Sequence, residues 1–280
     1  MIDFKNVNIN DLKRVKLIAI DIDGTLLDDQ KEIPNDNINA IKKANLENKK
    51  VVLSSGRPLS KKTISFYEQL GLLKENNYFI AYNGESIYEV VSNKTIYSNP
   101  LSYNDISKLD NYFSSLLIES ARYVHLDENV TVINPNEFSL LEEVFNLKPH
   151  IVGNFLELLE MKAHKYQIAD YPDKISKLYE MLPQWIKNEY DVVITMPCYL
   201  EITKKNVCKY NSVIYLAKYL GINENEIMAI GDSMNDLSMI KNCHYGVAMG
   251  NAIEEIKDAA KIITSDNNSS GVARIINFCL

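Results

Sequence analysis

Lys16-Leu-Ile-Ala-Ile-Asp21-Ile-Asp23-Gly24-Thr25-Leu26-Leu27 is the stretch from which the rest of the chain can be read. Leu17 to Ile20 is short and apolar at every position. Such a run predicts a strand buried on both faces. It ends in two carboxylates separated by one residue. Unpaired carboxylates are costly in a core, so the strand end is expected to reach solvent or a site. Residues two apart on a strand share a face, which would point Asp21 and Asp23 into one small volume. There one carboxylate could attack a phosphorus atom while the other shuttles a proton. Asp23-Gly24 alone would suit an acidic turn. A turn does not account for Asp21, which ends the strand just inside it.

Further along, other apolar runs also end in polar groups. Val51-Val52-Leu53 leads into Ser54-Ser55-Gly56-Arg57-Pro58. Leu200-Glu201-Ile202-Thr203 precedes Lys209. Ile227-Met-Ala-Ile leads into Gly231-Asp232-Ser233-Met-Asn235-Asp236. In open α/β sheets ligands gather outside the carboxyl ends of the strands, so Asp21, Ser55 and Asp232 are pooled into one expected site.

With Asp21-Ile-Asp23-Gly-Thr-Leu first, the four stretches resemble in order the motifs of the haloacid dehalogenase superfamily of phosphohydrolases. The closest likeness is to its Cof-type subfamily, which carries an inserted α/β cap. The matches span nearly the whole chain. The resemblance implies a phosphatase that uses Mg²⁺ and acts on a small phosphorylated metabolite such as a sugar phosphate. Asp21 would be the nucleophile, giving an aspartyl-phosphate intermediate. Asp23 would protonate the leaving alcohol and then deprotonate water. The metal ligands implied are Asp21, the backbone carbonyl of Asp23 and Asp232, with Asp236 behind them; few carboxylates and an oxygen-only set suit Mg²⁺. Ser55, the Gly56 amide, the Ile22 amide and Asn235 would meet the phosphoryl oxygens, and Lys209 would supply a cation. Arg57 would hold the loop or touch substrate. Two departures stand out. Tyr210 follows Lys209 where the subfamily usually has glycine, and Asn206 stands where another glycine is frequent. Serine at position 55 replaces the commoner threonine and keeps the hydroxyl.

The net charge of −7 and the lack of a long basic run argue against a nucleic-acid partner. No apolar stretch is long enough to span a bilayer. The start of the chain lacks the basic-then-apolar order of a signal peptide. Four cysteines without Cys-x-x-Cys spacing suit reduced thiols in a cytoplasmic protein. The histidines are scattered and suggest no zinc site.

Strands and helices alternate in the first and last thirds, predicting a Rossmann-like parallel sheet with helices on both faces. The middle third differs: a hairpin around Asn93-Lys94, helical faces at Ile106-Leu109-Phe113 and Ile175-Leu178, and strand-like runs near 121–126, 166–169 and 192–196. The expected division is a catalytic core of 1–84 and 196–280, with 85–195 inserted as an α+β cap that selects substrate. Hinges are expected near Asn83-Gly84 and Met196-Pro197. Within the cap, Tyr123, His125 and Tyr166 could line a substrate site or serve ordinary structural roles. The segment 266–271 reads as a loop. Two other functions share parts of this pattern. A phosphotransferase or phosphomutase would use the same aspartyl phosphate. A non-catalytic binding protein would be favoured by loss of Asp21, Asp23, Lys209 or Asp232, all of which are present.

Overall fold

The computed structural model describes residues 2–5, 7–116, 119–126, 129–140, 149–155 and 162–280. The chain divides into two compact units, Met1–Ser98 with Cys208–Leu280, and Asn99–Val207.

In the first unit the apolar runs become strands, numbered along the chain: β1 (Asp3–Phe4), β2 (Leu17–Ile20), β3 (Lys50–Ser54), β4 (Tyr78–Ala81), β5 (Ser86–Glu89), β6 (Lys94–Ser98), β13 (Ile227–Gly231), β14 (Tyr245–Ala248) and β15 (Ile262–Ile263). They form one sheet in the order β1-β15-β14-β13-β2-β3-β4-β5-β6. From β15 to β4 every neighbouring pair is parallel. β2 sits in the middle, with Ile18 opposite Met228 of β13 and Val51 of β3. All four of its residues are fully buried, as expected of a strand covered on both faces. The chain builds outward from β2 through β3 and β4, then returns to build β13, β14 and β15 on the other side. The order therefore reverses between β2 and β13, which opens a crevice at their carboxyl ends.

The connecting helices bury apolar stripes. Asn35–Leu46 turns Ala40, Ile41 and Ala44 inward, and Lys209–Tyr219 does the same with Val213, Leu216 and Ala217. Gly271–Ile276 is a further helix, beyond the loop expected at 266–271, and packs against Asn35–Leu46. The short helix Leu237–Asn242 lies directly on β14. A methyl group added at Gly246 would stand 1.7 Å from the Ile240 carbonyl oxygen.

The second unit has its own sheet, built from β7 (Ala121–His125), β8 (Val130–Ile133), β9 (Pro149–Ile151), β10 (Lys165–Ala169), β11 (Tyr190–Met196) and β12 (Tyr199–Lys204), in the order β11-β12-β10-β7-β8-β9. Helices Tyr103–Ser115 and Pro172–Met181 contribute Ile106, Leu109, Phe113 and Ile175 to a core shared with Val124, Ile168, Leu200 and Ile202. Tyr166 belongs to this core: its ring stacks on Phe113 at 5.8 Å and its hydroxyl donates to Asp110 at 2.8 Å. Tyr123 and His125 stand opposite Gln167 and Lys165 in the ladder, on the other face. There His125 Nε2 and Gln167 Oε1 are 3.1 Å apart.

The observed division corrects the expected boundaries of 85–195. The hairpin β5–β6 pairs with β4 and completes the first sheet. β12, which contains Glu201 to Thr203, pairs with β10 and β11 in the second. The chain leaves the first unit after Ser98 and re-enters at Cys208, not near Asn83-Gly84 and Met196-Pro197. An alternating strand has the same sequence pattern in either sheet, and only its hydrogen-bonding partner assigns it. No helix among the described residues is long and apolar enough to cross a membrane.

Gly246→Ala tests the closest approach in the first unit. Neither backbone can yield without moving β14 or the helix on it, so a loss of about 3 kcal/mol or more is expected, at the upper end of overpacking costs. A urea unfolding midpoint equal to that of the unsubstituted chain would contradict this packing.

Candidate active site

The ends of β2, β3, β4 and β13 carry the polar groups. Asp21 remains stitched to the sheet, its amide donating to the Ile230 carbonyl at 3.0 Å. The chain then makes a wide turn over Ile22–Leu26, closed by Leu26 N to Asp21 O at 3.2 Å and Leu27 N to Ile22 O at 3.0 Å. Gly24 has φ 78°, and a Cβ there would lie 2.5 Å from Asp232 Oδ2. Both the turn and the neighbouring carboxylate thus require glycine at this position. The Ile22 side chain is buried in the core, while its backbone opens the turn.

Lys209, the first residue of its helix, is completely buried. Its ammonium donates to Asp21 Oδ1 at 2.5 Å and to Asp236 Oδ1 at 2.6 Å. The other oxygen of Asp236 accepts the amides of Asp232 at 2.9 Å and Ser233 at 3.1 Å. Asp236 is therefore an internal strut, not a solvated charge at a helix end. The Thr25 hydroxyl donates to Asp232 Oδ1 at 2.8 Å. One oxygen from each of Asp21, Asp232 and Asp236 lies within 4.8 Å of the others.

Three carboxylates face one ammonium, and their proton affinities show the imbalance. Burial pushes the Asp21 carboxyl well above the usual carboxylate range, and Asp236 and Asp232 add to this against the pull of Lys209. Burial, then Asp236, pushes Asp232 up to about 6. Burial works against the charged form of Lys209, but Asp21 and Asp236 more than offset it and hold the ammonium protonated. The chemistry of this donor set, hard oxygens with surplus negative charge, fits a divalent cation such as Mg²⁺.

Asp23 faces different partners from Asp21. Strand alternation stops at Ile20, so the wide turn, not a shared strand face, sets where Asp23 points. Arg57 grips both of its oxygens at 2.7 Å, and Lys31 approaches at 3.8 Å. Burial alone would raise its pKa. The Arg57 hydrogen bonds and charge outweigh burial and hold the carboxyl below the usual range. The guanidinium contact with Asp23 is a role for Arg57 beyond the two expected, holding the loop or touching substrate.

Ser55 is buried at the end of β3, and its hydroxyl accepts the Arg57 amide at 3.2 Å. Asn235 donates through Nδ2 to Asn83 Oδ1 at 3.1 Å. The departures from the subfamily pattern have local reasons. Tyr210 packs its ring against the core of the first unit. Asn206 has φ 65°, a left-handed conformation that asparagine tolerates better than most residues.

Several positioning groups had no sequence motif. Asn251 donates to the Gly24 carbonyl at 2.8 Å, Asn37 to Leu26 at 3.2 Å and Asn267 to Leu27 at 3.1 Å. Three separate elements thus hold backbone carbonyls of the turn that follows Asp21 and contains Asp23. Asn83, expected only as part of a hinge, is another such group. The Asn83-Gly84 dipeptide, directly after an apolar strand, is the signal that could have nominated it.

A family model described as haloacid dehalogenase-like hydrolase matches residues 18–276. YxeH of Bacillus subtilis strain 168 is 34% identical over 267 residues, which cover 94% of this chain and 97% of that one. The 5-amino-6-(5-phospho-D-ribitylamino)uracil phosphatase YcsE of the same organism is 31% identical, with 94% of each chain covered. A crystal structure of a haloacid dehalogenase-like hydrolase from Bacteroides thetaiotaomicron superposes with a TM-score of 0.83 at 28% identity, covering 95% of this chain and 100% of that one. The chain belongs to the haloacid dehalogenase-like hydrolases, in their Cof-type phosphatase branch.

Proposed function

We propose that this chain is a Mg²⁺-dependent phosphatase that cleaves a small phosphorylated metabolite through a phosphorylated Asp21. The buried contact of Lys209 with Asp21, beside Asp232, carries this reading. Among the described residues only Lys209 bonds the Asp21 carboxylate, and only through Oδ1. The second oxygen is left to attack phosphorus as the ester P–O bond breaks. Asp21, Asp232 and the Asp23 carbonyl would hold Mg²⁺, which when bound supplies positive charge to offset that of the phosphoryl group. Ser55, the Gly56 and Ile22 amides, Lys209 and Asn235 bind the phosphoryl oxygens.

Asp23 gives its proton to the leaving alkoxide, then takes one from the water that attacks the phosphoaspartate. Water attack releases inorganic phosphate and restores Asp21. An acid needs its proton, and Arg57 disfavours it. An anionic substrate competes for the guanidinium, weakens its hold and lets the Asp23 pKa rise toward a useful range. The substrate named for YcsE, a small phosphorylated metabolite, supports the substrate class. The second unit carries none of these groups, and selection of the leaving alcohol is assigned to it.

The roles of the two leading carboxylates separate by mutation. Asp21→Asn is expected to cut kcat by about 10⁴-fold or more and to abolish phosphoenzyme trapping. Asp23→Asn is expected to slow turnover by about 10²–10⁴-fold while phosphate can still be trapped on Asp21. Mass spectrometry of quenched reactions reads both. Rapid turnover by Asp21→Asn would refute the nucleophile, and transfer to an alcohol in place of water would point to a phosphotransferase.

The metal is tested through pH. A carboxyl whose pKa rises on folding favours the folded state below its unfolded value near 4. For Asp232 that contribution is lost as pH climbs through about 6. A bound cation relieves the resulting repulsion but must compete with protons. The rise in Tm on adding Mg²⁺ is therefore expected to be larger at about pH 8 than at about pH 5. Equal shifts at both, or full activity after EDTA treatment, would remove the metal from the reading.

A further inference from the structure

Tyr82, Asn83 and Gly84 follow β4 with φ values of 49°, 58° and 102°. Glycine adopts such angles freely, asparagine tolerates them and tyrosine seldom does. Conformations of this kind persist where the surroundings over-determine them, and they concentrate at functional sites. Here three loops of the active site are the surroundings.

The Tyr82 amide donates to the Arg57 carbonyl at 3.3 Å, and the Asn83 amide to the Ser55 carbonyl at 2.9 Å. Gly84 lies against the start of the Lys209 helix, where a Cβ would stand 2.4 Å from the Cys208 carbonyl oxygen. The Ser212 hydroxyl donates to the Gly84 carbonyl at 2.5 Å. The Asn83 side chain reaches the third loop by accepting from Asn235 Nδ2 at 3.1 Å. Gly56 leaves room for that carboxamide: a Cβ there would stand 3.2 Å from Asn83 Oδ1.

Asn235 is held from both ends. Its Oδ1 accepts the Ser233 hydroxyl at 2.8 Å, while its Nδ2 donates to Asn83. A carboxamide nitrogen carries two hydrogens. One is used by Asn83, and the second has no partner among the described residues. Asn83 thereby fixes the plane of the Asn235 amide and the direction of its remaining N–H.

We propose that Asn83 is a positioning residue for phosphoryl binding, acting through Asn235: its left-handed backbone places an acceptor that aims the second Asn235 N–H at a phosphoryl oxygen. This rests on the phosphatase reading above. It extends that reading to a residue outside the four motifs and gives the strained turn a chemical purpose.

Asn83→Gly is the informative variant, because glycine keeps the left-handed backbone without strain and removes only the amide. Its Tm is expected to match or exceed that of the unsubstituted chain. Its kcat/KM for p-nitrophenyl phosphate is expected to fall about 10–100-fold, the range for a lost hydrogen bond that orients a charged contact. Competitive inhibition by inorganic phosphate should weaken in parallel. Combined with Asn235→Ala, the change should cost little beyond Asn235→Ala alone, since both act on one contact. Unchanged kcat/KM, or losses that add in full, would overturn the proposal. Should the glycine variant fail to fold, Asn83→Asp keeps the acceptor and the backbone preference but adds a negative charge. It should raise KM and weaken phosphate inhibition with kcat largely preserved, and an unchanged KM would overturn the proposal. Turnover that Asp21→Asn abolishes and Asn83→Gly leaves intact rejects the role of Asn83 alone. Failure of Asp21→Asn to reduce turnover rejects the phosphatase reading.

Discussion

The ammonium of Lys209, buried between Asp21 and Asp236, is the contact on which the site depends. A lone ammonium in that position would be expelled or neutralised. Two carboxylates keep it charged, and Asp236 in turn accepts the amides that shape the loop after β13. One ion cluster therefore joins the end of β2, the end of β13 and the first turn of a helix. Removing one partner from such a buried pair typically costs about 3–5 kcal/mol, because the other charge is left stranded. Mutations here therefore act on stability as well as on chemistry.

The cluster is also electrically incomplete. Asp21, Asp232 and Asp236 outnumber the single cation, so Asp21 and Asp232 hold protons more tightly than free carboxylates do. Such a surplus costs stability at neutral pH, and its hard oxygens fit a divalent cation. Asp23 lies outside this surplus because Arg57 neutralises it. Two carboxylates only two residues apart thus have opposite electrostatic environments.

Precision at the site comes from backbone as much as from charge. Gly24 permits the wide turn beside Asp232, and asparagines from three elements hold that turn's carbonyls. Tyr82–Gly84 ties the loops bearing Ser55, Lys209 and Asn235 to one another. Polar groups fixed in this way would need little reorganisation on meeting a reacting phosphoryl group.

Much of this was legible in the sequence, and for a local reason. Apolar runs such as Leu17–Ile20 and Ile227–Ile230 are short and buried on both faces, so they announce parallel strands. The polar residues directly after them, Asp21, Ser55 and Asp232, must fall at strand ends in any such sheet. Fold class and the gathering of those three residues follow from that, whereas Lys209 and Asp236 were indicated by the family resemblance. Other features depended on distant partners. The hairpin Ser86–Ser98 and the strand Tyr199–Lys204 could join either sheet, and hydrogen bonding assigned each to the sheet opposite to the one expected. The helix Gly271–Ile276 followed a run that reads as loop. Arg57 chose Asp23, and Asn83 chose Asn235, through contacts spanning 34 and 152 positions. Composition and periodicity report what one segment prefers; pairing across such distances is decided only when the sheet closes and brings the strand ends together.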